Sequence, residues 1–173
     1  MHQHNVCHRD IKPQNIMYTG HYWAIIDFGL ASFTIDETGD SIYKLSDNEK
    51  KQHIVGTPKY ISWNIHRGEL PAKRDDLISI GYVLLFCLFG EDFWNNCLMD
   101  NIEIKSQEAC DTHILFPNNL RLLYKKQLAK ICDDESFFKS NESLNIKEFF
   151  RYLYGIQITE TPRYHYLSSL LEE

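Results

Sequence analysis

The stretch Cys7–Asn15, CHRDIKPQN, places a His, an Arg, an Asp, a Lys and an Asn close together near the start of the chain. Pro13 interrupts the stretch and makes a regular helix unfavourable there. A loop of this kind is able to turn Asp10 and Asn15 toward one point. Because an ordinary solvated loop has no need for that order of side chains, the stretch predicts a chemical site.

A small hairpin is predicted directly after this loop. Two short apolar runs, Asn15–Tyr18 and Tyr22–Ile26, flank the turn-forming residues Thr19-Gly20-His21. A hairpin returns its second strand beside its first, so Asp27 at the far end comes back near Asn15. The carboxylate and amide oxygens of these two residues suit Mg²⁺, which prefers oxygen ligands and keeps substrate phosphates in its shell.

The remaining groups of the loop fit phosphoryl transfer. Asp10 is left to accept a proton from a hydroxyl, and Lys12 is close enough in sequence to neutralise a phosphoryl oxygen. Such a reaction requires positioning and charge stabilisation, with little covalent chemistry from the protein.

The same residues resemble a known family. His8-Arg9-Asp10 with Lys12 and Asn15, followed by Asp27-Phe28-Gly29, resembles the catalytic and magnesium loops of eukaryotic protein kinases. The resemblance implies ATP and Mg²⁺ as cofactors, with the roles given above carried over from the family. A Lys at the position of Lys12 is typical of the serine/threonine kinases, which implies protein Ser and Thr hydroxyls as acceptors.

Further site residues follow from the resemblance alone. The segment Gly56–Tyr60, GTPKY, stands where these kinases end the activation segment, and it implies that Thr57 hydrogen-bonds near Asp10 and Lys12. Met17 is then the floor under the adenine, and Ile26 lies just behind the metal.

Three segments are similar to the casein kinase I group in particular. They are KRDDLISIGYVLL (73–85), Ser62-Trp63-Asn64 in place of the usual Ala-Pro-Glu, and TPRYHYLSSLL (161–171). In that frame Asp76, rather than Asp75, is the carboxylate that braces the backbone of the catalytic loop.

The predicted fold is α+β and mainly helical, a single domain over 1–173 that resembles the C-terminal lobe of a kinase with a hairpin near its start. Apolar patterns predict helices over 76–90, 120–132 and 145–156, the last capped by Asn145, and a closing helix from Tyr164. Residues 32–53 are predicted to form a long polar loop, and Pro58 and Pro71 bracket a second loop.

The elements of a kinase N-terminal lobe have no counterpart in this sequence. No glycine-rich loop, strand lysine or hinge precedes Cys7. We therefore expect a piece of a longer kinase, with a lobe that stands alone as the alternative. Because good ligand sites enclose most of their ligand, this chain alone is expected to bind ATP poorly.

Two other functions are alternative hypotheses to a protein kinase. A non-catalytic, pseudokinase-like binding module would use the face that an N-terminal lobe would cover. A small-molecule phosphotransferase has a similar Asp-to-Asn loop, but the Lys12-Pro13 pair and the Gly56–Tyr60 segment argue against it. The group His2, His4, Cys7 and His8 is interpreted as structural rather than as a zinc site, because no second ligand pair accompanies it.

Composition restricts the partners and the compartment. The net charge of −6 argues against nucleic acid, and the apolar run 77–90 is too short to span a bilayer. Five cysteines without a C-x-x-C pair suit free thiols in a reducing compartment. We expect a monomer in the cytoplasm or nucleus whose partner is a protein substrate, not a membrane.

Overall fold

A computed structural model describes residues 1–35, 37–44, 54–90 and 141–172. Within these ranges there are four α-helices: α1 (Trp63–His66), α2 (Lys73–Phe89), α3 (Asn141–Gly155) and α4 (Tyr164–Ser169). The strands are β1 (Val6–Cys7), β2 (Ile16–Tyr18), β3 (Trp23–Ile25) and β4 (Ser32–Phe33). Single 3₁₀ turns cover His2–His4, Pro13–Asn15, Phe28–Leu30 and Ile42–Lys44. The α+β composition predicted from the sequence is confirmed.

The predicted hairpin is formed by β2 and β3. The strands are antiparallel, and Ile16 lies opposite Ile25. The Thr19 hydroxyl closes the turn by donating to the Tyr22 carbonyl at 3.0 Å, while Gly20 supplies a φ of 93°. Ile16 and Ile25 pack against the core, so the hairpin is anchored by one face.

A second strand pair was not predicted. Cys7 pairs with Ser32 and Val6 with Phe33 in an antiparallel ladder, so the expected loop 32–53 begins with a strand. A strand of two residues is too short to show an alternation of apolar and polar side chains. Its pairing depends on the tertiary partner rather than on a local pattern. The described residues after β4 include the turn Ile42–Lys44, and 45–53 lie outside the described ranges.

Helix α2 is the central element and is buried on most of its surface, as its apolar sequence predicts. It begins at Lys73, earlier than the predicted 76. The Ala72 amide donates to Asp75 Oδ2 at 2.9 Å, which satisfies one of the N–H groups that a helix start leaves without an intrahelical partner. Gly90, at φ 79°, follows its last residue.

The core lies between α2 and α3. Gly81 allows close approach, because a Cβ at that position would lie 2.7 Å from the Phe150 ring. Tyr82 packs on Phe150 with ring centroids 5.0 Å apart. Helix α3 begins at Asn141, so the predicted cap at Asn145 is wrong; good helix formers such as Glu142 extend the helix upstream. The helix predicted over 120–132 lies outside the described residues.

The loop predicted between Pro58 and Pro71 contains the short helix α1. Ser62 caps it, since its hydroxyl oxygen accepts from the Ile65 amide at 3.2 Å. One turn of helix gives too few residues for a periodic pattern, which explains why the sequence did not reveal it. No helix in the described parts of the chain has the length and apolar character needed to cross a membrane.

Candidate active site

The loop Cys7–Asn15 is held by Asp76, a buried residue on the first turn of α2. Its carboxylate oxygens accept the backbone N–H groups of His8 at 2.7 Å and Arg9 at 2.9 Å. These are the bracing contacts expected of Asp76. Two amide donors on one carboxylate fix the orientation of the chain where Arg9 adopts a φ of 68°, a conformation that is costly for a residue with a side chain.

The side chains of Lys12, Asn15 and Thr57 all bond the Asp10 carboxylate, so four of the predicted site residues lie together. Asp10 Oδ1 accepts from the Thr57 hydroxyl at 2.7 Å and from the Thr57 amide at 2.8 Å. Asp10 Oδ2 accepts from Lys12 Nζ at 2.7 Å and from Asn15 Nδ2 at 3.3 Å. Lys12 Nζ also donates to the Thr57 hydroxyl at 3.0 Å. The structure therefore joins the opening loop to a segment far along the chain.

The charge on Asp10 is set by these contacts. Burial by itself would raise the pKa of its carboxyl, but the hydrogen bonds from Lys12 and Thr57 and the positive charge of Lys12 outweigh burial, and the pKa lies below its usual value. Asp10 is consequently an ionised acceptor at neutral pH, positioned by donors on both oxygens.

His8 connects Asp10 to the residues beside Asp27. The buried imidazole donates from Nε2 to the Ile26 carbonyl at 3.0 Å, and its Nδ1 accepts from the Asp10 amide at 3.3 Å. A carbonyl only accepts and an amide N–H only donates, so these partners select one neutral tautomer. The Phe28 ring lies edge-on to His8 with centroids 5.0 Å apart.

The hairpin brings Asn15 to Asp27 as predicted from the topology. The Ile26 amide donates to the Asn15 carbonyl at 2.9 Å, which places Asn15 opposite the residue before Asp27. Asn15 is buried, and its Nδ2 also donates to the Asp10 carbonyl at 2.9 Å. Within the described ranges its amide oxygen makes no hydrogen bond.

Asp27 is exposed and adopts a left-handed φ of 64°, with Oδ1 accepting from the Gly29 amide at 3.2 Å. Its other carboxylate oxygen has no hydrogen-bond partner among the described residues. Free carboxylate and amide oxygens at adjoining positions are the donor set that Mg²⁺ takes, so the residues present fit that cation.

Met17 and Ile26 lie on the outward face of the hairpin. Side chains alternate along a strand, and Ile16 and Ile25 face the core, so Met17 and Ile26 point the other way. Met17 is 48% exposed and Ile26 is 37% exposed. The face they form is apolar and accessible.

Asp75, for which the sequence suggested no role, ties the second segment of the site to α2. Asp75 Oδ1 accepts from the Ser62 hydroxyl at 2.5 Å and from Asn64 Nδ2 at 3.2 Å. Burial raises the pKa of Asp75, opposed by the Arg74 charge and these donors. Asp76 thus holds the catalytic loop, and the neighbouring Asp75 holds the segment that contains Ser62 and Asn64. The polar side chains of Ser62 and Asn64 were the sequence signal from which the role of Asp75 could have been predicted.

His2, Cys7 and Asp76 lie close together, with ligand atoms within 4.8 Å of one another. Asp76 Oδ2 interacts with His2 Nε2 at 2.9 Å while it accepts the His8 amide. Burial raises the pKa of the Cys7 thiol, which favours its protonated form.

A comparison with models of known families agrees with the geometry of this site. The model described as the protein kinase domain matches residues 1–158, which include the loop Cys7–Asn15, Asp27, Thr57 and Asp76.

Proposed function

The chain belongs to the protein kinase family, and from this premise we propose that it forms the C-terminal lobe of a serine/threonine kinase of the casein kinase I group. Its reaction would be transfer of the ATP γ-phosphate to Ser or Thr hydroxyls of a protein substrate. The observation that carries the proposal is the convergence of Lys12, Asn15 and Thr57 on the carboxylate of Asp10.

Asp10 is the proposed proton acceptor for the substrate hydroxyl. Donors on both of its oxygens orient the carboxylate and keep it ionised, so that it is ready to receive a proton as the hydroxyl attacks. Lys12 carries the positive charge that would neutralise a phosphoryl oxygen beside it. Thr57 bonds to both residues and shapes the place where the hydroxyl would enter.

The proposed cofactor site is the outer edge of the hairpin. Asn15 and Asp27 would hold Mg²⁺ through their oxygens, and Met17 and Ile26 would contact the adenine. When bound, Mg-ATP supplies the transferable phosphoryl group and the cation that offsets its charge. The chain's own contribution would be to supply these oxygens and this apolar face near Asp10, to which Asn15 donates a hydrogen bond.

The serine/threonine preference is supported by the Lys12–Thr57 hydrogen bond of 3.0 Å. This bond holds the Lys12 ammonium beside Asp10, where it would face a short aliphatic hydroxyl that approaches the carboxylate. The proposal for the casein kinase I group is supported by Ser62 and Asn64, which anchor to Asp75 without the usual Glu. We propose further that the protein is a monomer of the cytoplasm or nucleus that acts on proteins.

A second candidate function, a non-catalytic binding module, is favoured by one observation. The hairpin and the residues after it expose large apolar side chains, among them Met17, Trp23, Phe28 and Leu30. Several large exposed apolar side chains within so short a segment are typical of a contact surface. Under this alternative the wild-type protein transfers no phosphate.

Phosphoryl transfer from labelled Mg-ATP to Ser- and Thr-containing peptides tests the proposal, on the protein as its gene encodes it and on residues 1–173. Asp10→Asn should lower the rate by about a hundredfold to ten-thousandfold, the range for losing a general base. The matched control is Glu160→Gln, which changes an exposed carboxylate outside the site. Little transfer is expected from residues 1–173 alone. Absence of transfer by the wild-type protein as its gene encodes it, or equal rates in its two variants, would overturn the kinase assignment.

A further inference from the structure

Tyr164, at the start of helix α4, lies far along the chain from the catalytic loop and yet is connected to it. The Tyr164 hydroxyl is 2.8 Å from Nδ1 of His2, and the two rings are tilted with centroids 5.9 Å apart. His2 Nε2 is 2.9 Å from Asp76 Oδ2. Asp76 in turn holds the amides of His8 and Arg9.

The direction of each hydrogen bond follows from what the partners are able to donate. The Asp76 carboxylate already accepts two backbone amides, so it also accepts from His2 Nε2–H. When the imidazole is neutral, the other nitrogen is an acceptor and the Tyr164 O–H donates to Nδ1. When it is protonated, Nδ1–H donates to the Tyr164 oxygen instead. With either direction, the bond to Tyr164 orients the His2 ring so that Nε2–H faces Asp76.

We propose that Tyr164 and His2 are positioning residues that hold Asp76, and through it the catalytic loop, in the orientation required for phosphoryl transfer. This proposal rests on the proposed kinase function for its effect on rate, although the contacts themselves do not depend on it. Asp76 Oδ2 accepts hydrogen bonds from both His2 Nε2 and the His8 amide. A fixed His2 ring therefore restrains the Asp76 carboxylate, and the carboxylate orients the His8 amide.

The effect reaches the reacting groups through His8. Its amide is fixed by Asp76, while its ring contacts the Ile26 carbonyl and the Asp10 amide. A looser Asp76 would therefore loosen Asp10 and the residue before Asp27 together. Tyr164 is 40% exposed at the surface, so the closing helix α4 offers a route by which events at the surface reach the catalytic loop.

Tyr164→Phe removes the hydroxyl and keeps the ring. Tyr166→Phe is the matched control, because Tyr166 lies on the same helix and its hydroxyl donates to Glu148 of α3, away from the loop. Amide hydrogen exchange, measured by NMR on the full chain, gives a readout that is independent of activity. We expect exchange at His8 and Arg9 to accelerate roughly two- to tenfold in Tyr164→Phe only, the range set by the loss of one hydrogen bond.

His2→Ala is the second variant and should produce the same pattern at His8 and Arg9. In a protein active as a kinase, Tyr164→Phe should lower kcat and leave the KM for peptide unchanged, since Asp10 acts on the transition state. Unchanged exchange at both amides would overturn the proposal. So would equal acceleration at core amides such as that of Leu85, because it would report only global destabilisation. If the wild type transfers no phosphate, the exchange result still decides the positioning role by itself.

Discussion

The Thr57 hydroxyl donates to the Asp10 carboxylate at 2.7 Å across a sequence separation of 47 residues. The Thr57 amide donates to the same oxygen at 2.8 Å, so one residue occupies Oδ1 with two donors. This pair joins the loop that bears the proposed base to the segment that would receive the substrate.

Replacement of Thr57 tests how this pair sets the charge of Asp10. Thr57→Ala removes a donor that stabilises the carboxylate, so the pKa of Asp10 should rise relative to wild type. Thr57→Ser keeps the hydroxyl and should leave the pKa near that of the wild type. NMR titration of the Asp10 carboxyl carbon measures both, and identical titration curves for the Ala and Ser variants would contradict the role of the hydroxyl.

The pH dependence of stability should carry the signature of Asp10. Because folding lowers the pKa of Asp10 below 3.8, its contribution to the free energy of unfolding is fully present above that pH and is lost as the pH falls through the folded pKa. Asp10→Asn lacks the contribution. The stability difference between wild type and this variant, measured by urea denaturation, should narrow below about pH 4. A gap that stays constant from pH 7 to 3 would be inconsistent with the ionised, hydrogen-bonded carboxylate.

Gly56 should not tolerate a side chain. It adopts a φ of 100°, and a Cβ there would lie 2.4 Å from the Arg9 carbonyl oxygen. Gly56→Ala should therefore lower the free energy of unfolding by about 1–2 kcal/mol for the backbone conformation and by about 1–3 kcal/mol more for the steric overlap.

Gly20→Ala is the control for that experiment, because Gly20 has a φ of 93° and open space around it. In Gly20→Ala the free energy of unfolding should fall only by the backbone penalty. Chemical denaturation of both variants compares the two costs. Equal losses of stability would show that Gly56 has no special role in bringing Thr57 to the catalytic loop.

Gly81 should be required for the packing of α2 on α3. Gly81→Ala gains up to about 1 kcal/mol of helix propensity but drives a methyl group into the buried Phe150 ring. Overpacking costs about 1–3 kcal/mol, so the net change should be destabilising. Gly155→Ala, at the open end of α3, should be neutral or slightly stabilising. Thermal denaturation distinguishes them, and a stabilised Gly81→Ala would mean that the helices are farther apart than the structure shows.

Local patterns predicted the elements that have strong local signals. The hairpin around Gly20 and the apolar helix α2 both lie where the apolar runs and turn residues placed them. The start of α3 was misplaced, because Asn145 is a good cap residue by type but helix-forming residues precede it. The strand pair of Cys7 with Ser32 and the one-turn helix α1 were missed because neither is long enough to display a period.

The sequence by itself determined the chemical inventory of this protein: an Asp, a Lys and an Asn in one loop, a second Asp after a hairpin, and the family to which that order belongs. Only the tertiary structure decided that Asp75 holds the segment with Ser62 and Asn64, and that His2 and Tyr164 join the network of Asp76. The physical reason is that hydrogen bonds depend on directions and distances of a few ångströms. Residues far apart in the chain reach those positions only when the core between α2 and α3 has formed.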